Sequence, residues 1–108
     1  MTEVRHIPDQ FMFAILVDDA LAGYIEYRMG PGVRAIMHTV IDPEFRGQGL
    51  AAQLVKQALD ETRAEGLLVE PYCPYTRSYI VKHNEYLDMV AADRREQFDL
   101  PTAAAPAK

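Results

Sequence analysis

The sequence predicts an α+β domain of the α/β-sandwich type, a central mixed and mostly antiparallel β-sheet flanked by helices in the order β-β-β-α-β-α-α. Three observations predict it. Residues 11–41 hold three strand-length runs separated by turn signals. At Leu50 the apolar period changes from that of a strand to that of a helix. A short apolar run, Leu67–Glu70, then separates this helix from further helical stretches.

Phe11–Val17 is an apolar run of strand length, and Asp18-Asp19-Ala20 reads as a turn. Leu21–Arg28 alternates, with Tyr24, Glu26 and Arg28 on one side and Gly23, Ile25 and Tyr27 on the other. Gly30-Pro31-Gly32 is the strongest turn signal in the chain, so Val33–Ile41 completes an antiparallel meander. Leu50, Ala51, Leu54, Val55, Ala58 and Leu59 recur at helical spacing until Gly66 stops the helix. After the strand Leu67–Glu70, Pro71 and Pro74 bracket a loop holding Cys73. A second helix starts near Pro74, with Tyr75, Tyr79, Ile80 and His83 spaced to share a face. Asn84 breaks it or caps a third helix over Glu85–Phe98. The domain is expected to span residues 1–98, with residues 99–108 a disordered alanine-rich tail.

At 108 residues there is room for one domain, and a two-half dinucleotide-binding fold is nearly excluded. Hydrophobic residues at 49% and charged residues at 25% describe an ordinary soluble globular chain. The longest apolar stretch, Phe11–Val17, is far short of the ~20 residues that a membrane helix needs. The polar start, Met1–His6, leads into no signal-type apolar core, so the expected setting is cytoplasmic, with no membrane partner. A net charge of −5 argues against a nucleic-acid partner. The single cysteine excludes an intramolecular disulfide, and His6, His38 and His83 are too widely spaced to suggest a metal.

The informative segment is Asp42-Pro43-Glu44-Phe45-Arg46-Gly47-Gln48-Gly49-Leu50-Ala51-Ala52, between a strand and an amphipathic helix. Two close glycines let the backbone approach a ligand, and the first helical amides point outward with the positive end of the helix dipole behind them. Such a place binds phosphate, and Arg46 adds a full charge beside it. The plainer reading is a tight strand-to-helix turn. Gly47, Gly49 and Ala52 also satisfy the dinucleotide fingerprint, with Glu70 about 20 residues on. Against that stand the five residues after Ile41, the third place of the strand, and the missing second half. No Gly-Lys-Ser/Thr follows, which excludes a P-loop.

Arg46-Gly47-Gln48-Gly49-Leu50-Ala51 matches Q/R-x-x-G-x-G/A in full and resembles the coenzyme A pyrophosphate loop of the GNAT N-acetyltransferase superfamily. The order of elements agrees. His38-Thr39 in the strand before the loop, the Pro71-Tyr72-Cys73-Pro74 segment, and Tyr79 narrow the resemblance to a compact single-domain subfamily, over roughly residues 10–92. The chain lacks the helices that in larger members follow the first strand and wall the substrate.

The resemblance implies acetyl-CoA-dependent transfer of an acetyl group to an amine, by direct attack in a ternary complex. It implies that Arg46, Gly47, Gln48, Gly49, Leu50 and Ala51 hold the cofactor, with the backbone of Thr39, Val40 and Ile41 facing the thioester. An oriented amide there stabilises an oxyanion without any side chain. Tyr79 matches the family's general acid, with Tyr75 one turn earlier as fallback. His38 suits a general base at neutral pH, or holds a loop; Glu70 and Glu26 are weaker bases. Cys73 lies where the pantetheine thiol passes and is an acyl acceptor, a mixed-disulfide partner or a small buried wall residue. Lys56, Arg77 and Lys82 are phosphate contacts or ordinary surface charges. Glu85, Asp88, Asp93 and Glu96 attract a cationic amine or are simply solvated. The acceptor is a small-molecule amine or a protein amine, and an open sheet lacking a wall suits a homodimer. The alternative is a coenzyme A-binding module with little catalysis that acts through a protein partner.

Overall fold

A computed structural model describes residues 1–100. Thr2–Ile7 (β1) reaches Met12–Val17 (β2) through a single 3-10 turn, Pro8–Gln10. Asp18 and Asp19, at φ 49° and 70°, make the tight left-handed turn that antiparallel strands prefer, and it leads into Ala20–Gly30 (β3). Pro31 with Gly32 at φ 72° turns the chain into Val33–Ile41 (β4). Leu50–Ala64 (α1) then crosses to Leu68–Pro71 (β5), and Pro74–Lys82 (α2) follows. The sheet order is β1-β2-β3-β4-β5, antiparallel except for the parallel β4–β5 pair. The mixed, mostly antiparallel sheet with flanking helices is the α+β fold read from the sequence.

Two elements differ from the expectation. β1 is an additional strand, in register with β2 from Thr2↔Val17 to Ile7↔Met12. It is an edge strand bearing Glu3 and Arg5, so its apolar alternation is weak. The third helix, expected over Glu85–Phe98, is instead three 3-10 turns: Asn84–Met89, Ala92–Arg94 and Glu96–Phe98. The consecutive residues Met89 and Val90 are both buried, and Val90 and Ala91 adopt extended ψ near 125° and 137°. The i→i−4 hydrogen-bond ladder cannot run through two extended residues, so the chain breaks there.

The core lies between one face of the sheet (Phe13, Ile15, Ile25, Ile36, Val69) and the apolar stripe of α1 (Leu50, Leu54, Val55, Ala58, Leu59). On α2 the buried residues are Thr76, Tyr79 and Ile80, whereas Tyr75, expected on the same face, is 41% exposed. Phe98 and Leu100 are both buried, so packing continues two residues past the expected boundary. Residues 101–108 of the expected tail lie outside the described residues. Among the described residues no helix is long and apolar enough to cross a membrane.

One charged residue sits inside this core. Arg34 on β4 is 2% exposed, its guanidinium 4.5 Å from the Tyr27 ring and 5.2 Å from the Phe13 ring. It donates to Thr62 Oγ1 at 2.7 Å and to Glu65 Oε1 at 2.9 Å, which fixes the C-terminal turn of α1 to the sheet. The His6 ring nitrogen Nε2 lies 2.5 Å from the Tyr27 hydroxyl and ties β1 into the same cluster.

Candidate functional site

A bulge and an early strand end shape the site. Glu26 pairs with His38 and Tyr27 with Ile36, so Met37 has no partner in β3. Before the bulge Arg34 and Ile36 point to the core; after it Ile41 packs against the core and Thr39 reaches the buried Cys73. Met37 and His38 therefore both face the outer side of the sheet, away from α1. β5 accompanies β4 only as far as Ile36↔Pro71, and a last bond, Cys73 N–H to Ile36 C=O at 3.0 Å, closes the pairing. Beyond it the chain turns into α2, while β4 continues for five residues. Asp42 N–H donates to Ala22 C=O in β3. Strand alternation then sends the amides of Thr39 and Ile41 to the opposite edge, which β5 has left.

The glycine loop closes the top of this gap. Asp42 accepts a hydrogen bond from Glu44 N–H at 2.9 Å, and the turn Pro43–Phe45 packs Phe45 against the core. Gly47 and Gly49 adopt φ 82° and 72°, a region that favours glycine, and a Cβ at either would meet only open space. Gly49 is the N-cap of α1 and supplies no side chain to its free amides, and the first turn carries no acidic residue. Arg46 and Gln48 are exposed beside them. A bare, unobstructed N-terminus on a fifteen-residue helix, with an arginine next to it, fits a pyrophosphate. The geometry of Arg46–Ala51 thus suits the cofactor that the sequence points to.

Cys73 stands at the foot of the gap, 5% exposed, its Sγ donating to Thr39 Oγ1 at 3.3 Å. It is the N-cap of α2. Burial works to raise its thiol pKa, but hydrogen bonding with the Thr39 hydroxyl and the backbone amides of Thr76 and Tyr75 outweighs burial, and the thiol titrates below its ordinary range. We expect an absorbance titration of the thiolate at 240 nm, with Cys73→Ser as blank, to give a midpoint below the value of about 8.5 for a free thiol. A midpoint at or above that value would mean that burial wins. Thr76, which the sequence gave no reason to single out, is buried beside Cys73 with no hydrogen-bond partner for its hydroxyl among the described residues.

Tyr79 is 8% exposed on the inner face of α2, stacked on His83 at 4.0 Å between ring centroids. Burial raises its hydroxyl pKa, with the nearby Lys56 opposing, so the phenol holds its proton at neutral pH. His38 is exposed on the other face of the sheet from Cys73, opposite Glu26 and one residue from Thr39. Both His38 and Glu26 line a cavity of about 510 Å³. Lys56 is paired with Asp60 at 2.9 Å, and Glu70 with Arg94 at 2.8 Å. Arg77 and Lys82 line a separate shallow groove with Pro74 and Phe98. Asp88 is held by Arg63 at 3.0 Å, apart from Asp93 and Glu96 on later turns.

Comparison with known proteins bears on the family and the fold. The model of the GCN5-related N-acetyl-transferase family matches residues 12–89. A GCN5-like protein from Staphylococcus aureus superposes with a TM-score of 0.63 at 23% identity, over 82% of this chain and 86% of that one. A ribosomal-protein-alanine N-acetyltransferase from Brucella melitensis gives 0.54 at 18% identity, over 90% and 64%. The PaiA N-acetyltransferase from Thermoplasma acidophilum, solved in complex with coenzyme A, gives 0.49 at 19% identity, over 53% and 36%. This chain covers about two fifths of the length of several matching structures. No curated protein matches it.

Proposed function

The chain belongs to the GCN5-related N-acetyltransferase family, and from that premise we propose that it is a cytoplasmic acetyl-CoA-dependent N-acetyltransferase working by direct attack of an amine in a ternary complex. The observation that carries the reading is the bare N-terminus of α1 behind Gly47 and Gly49, opening onto the β4 edge that β5 leaves unpaired. Acetyl-CoA, when bound, supplies the activated acetyl thioester.

The remaining chemistry falls to the chain's own residues. The amides at the start of α1 and Arg46 hold the pyrophosphate. The Thr39 and Ile41 amides, aimed across the gap, stabilise negative charge on the thioester oxygen as the amine nitrogen bonds to the carbonyl carbon. The carbon–sulfur bond breaks, and the Tyr79 hydroxyl gives its proton to the departing sulfur. His38, on the opposite face, takes the proton that the attacking nitrogen loses. Cys73 walls the thiol end of the channel; direct attack leaves it unacetylated.

Thermal unfolding tests the reading. At about a hundred times its dissociation constant a ligand adds roughly 2.7 kcal/mol, which in a domain of this size raises the midpoint by about 10 °C or more. We expect that rise with acetyl-CoA and not with NAD. No rise at millimolar acetyl-CoA would overturn the site. Tyr79→Phe is expected to keep the rise and to lower kcat by about a hundredfold. Retained turnover in this variant would remove Tyr79 from the acid role. Mass spectrometry finding acetyl on Cys73 during turnover would replace direct attack with double displacement.

A further inference from the structure

We propose that the cavity over β3 and β4 takes the acceptor, a small protonated mono-amine carrying a flat apolar body, and that Phe11 is the residue that selects it; the inference rests on the acetyl-transfer reading above. The cavity, about 510 Å³, has the volume of a small-molecule site. It reaches β4 at Met37 and His38, the two residues that the bulge turns to the outer face. The next residue, Thr39, contacts Cys73 at the foot of the gap. An amine in this cavity thus lies one residue along β4 from the place where the acetyl group is presented.

Phe11 is the anomaly that points to selection. It adopts φ 54° and ψ 50°, a left-handed conformation that is an outlier for a bulky residue, and it is 51% exposed. Its backbone is pinned at both ends: its N–H donates to Pro8 C=O at 3.1 Å, and its C=O accepts from Tyr27 N–H at 2.9 Å. A glycine there would make both bonds without strain, and the half-exposed ring contributes little to the core. What the ring does is stand edge-on to Tyr27, 6.0 Å between centroids, as a fixed wall of the cavity. The Pro8–Gln10 turn and Phe11 make up the whole β1–β2 connection, so the ring stands at the rim of the sheet with nothing further from that connection over it.

The charges set the chemical class. Glu26 and Arg28 line the cavity, and neither has a salt-bridge partner among the described residues. Glu26 sits opposite His38 in the strand register, so a carboxylate for an ammonium and a base for its proton lie side by side. Phe11, Met29 and Met37 offer apolar surface to the body of the ligand. Arg28 repels a second cation, which disfavours polyamines and basic peptides.

The test compares 2-phenylethylamine, spermidine, glucosamine and a lysine-containing peptide as acceptors for the wild type, Phe11→Gly and Glu26→Gln. We expect 2-phenylethylamine to lead in kcat/KM by about tenfold or more. Phe11→Gly is expected to raise its KM about tenfold with kcat within about twofold, an edge-contact loss of the aromatic kind. The same variant should unfold no earlier than the wild type and keep the full acetyl-CoA shift, because glycine relieves the left-handed strain. Glu26→Gln should raise KM for every amine. An unchanged KM in Phe11→Gly, or spermidine or the peptide as the best acceptor, overturns the proposal. Binding of 2-phenylethylamine, followed by the NMR methyl signals of Met29 and Met37, reads the cavity without turnover. Perturbed methyls with no acetyl-CoA shift would leave the amine site standing and remove acetyl transfer; unperturbed methyls would remove the amine site itself.

Discussion

Replacing Arg34 by alanine is expected to destabilise the fold by about 3 kcal/mol and to lower the melting midpoint by about 15 °C. The guanidinium fills the space between the Phe13 and Tyr27 rings and reaches Thr62 and Glu65 on α1. Alanine leaves a void lined by two aromatic rings and unties the last turn of α1 from the sheet. The residue left behind decides the size of the loss. Glu65 is partly exposed and regains water, and the Thr62 hydroxyl still donates to Ala58 C=O at 2.7 Å. The cost is therefore chiefly that of the cavity, and Arg34→Met, which refills it, should lose about half as much. Thermal unfolding of the two variants checks this. A loss below about 1 kcal/mol for the alanine variant, or equal losses for both, would mean that the buried arginine is not held by shape in this way.

Arg34 also shows where legibility in the sequence stops. Its position in phase with Ile36 is visible in the strand Val33–Ile41, but a charge in phase with a core residue reads as an exposed edge until its partners are known. Those partners, Thr62 and Glu65, lie about thirty residues away at the far end of α1. The meander, the glycine loop, α1 and β5 were legible because turn chemistry and apolar period act locally. β1 was not, because an edge strand buries little and its alternation is diluted by Glu3 and Arg5. The bulge at Met37 was not, because it shifts the phase of one strand by a single residue and leaves no mark of its own. That shift sends His38 to the outer face, where it lines the cavity, while Thr39 stays with Cys73 on the inner one, so one strand supplies candidate residues to both faces of the sheet. The candidate residues could thus be named from the sequence, but their distribution over two faces could not.

The second large effect concerns the loop itself. Gly49→Val is expected to raise the dissociation constant for acetyl-CoA more than a hundredfold and to abolish the thermal shift. Its own stability should fall by only the cost of a strained residue, about 2 kcal/mol. Gly49 has φ 72° and no atom within 4 Å of an added Cβ, so the Cβ itself meets open space and the expected cost is backbone strain. The new side chain would stand in front of the bare amides at the start of α1, where we propose that the pyrophosphate is held. A matched control lies at the other end of β4. Gly32 has the same φ of 72° and the same open surroundings, but it sits in the β3–β4 turn, away from the loop. Gly32→Val should therefore lose a similar amount of stability and keep the whole acetyl-CoA shift. If both variants lose the shift, strain in the fold is the cause and the loop has no special claim. If neither loses it, the bare helix N-terminus is not where the cofactor is held. Only loss at Gly49 with retention at Gly32 separates the binding role of the glycine from its conformational one, because the two positions share the conformation and differ in what passes in front of them.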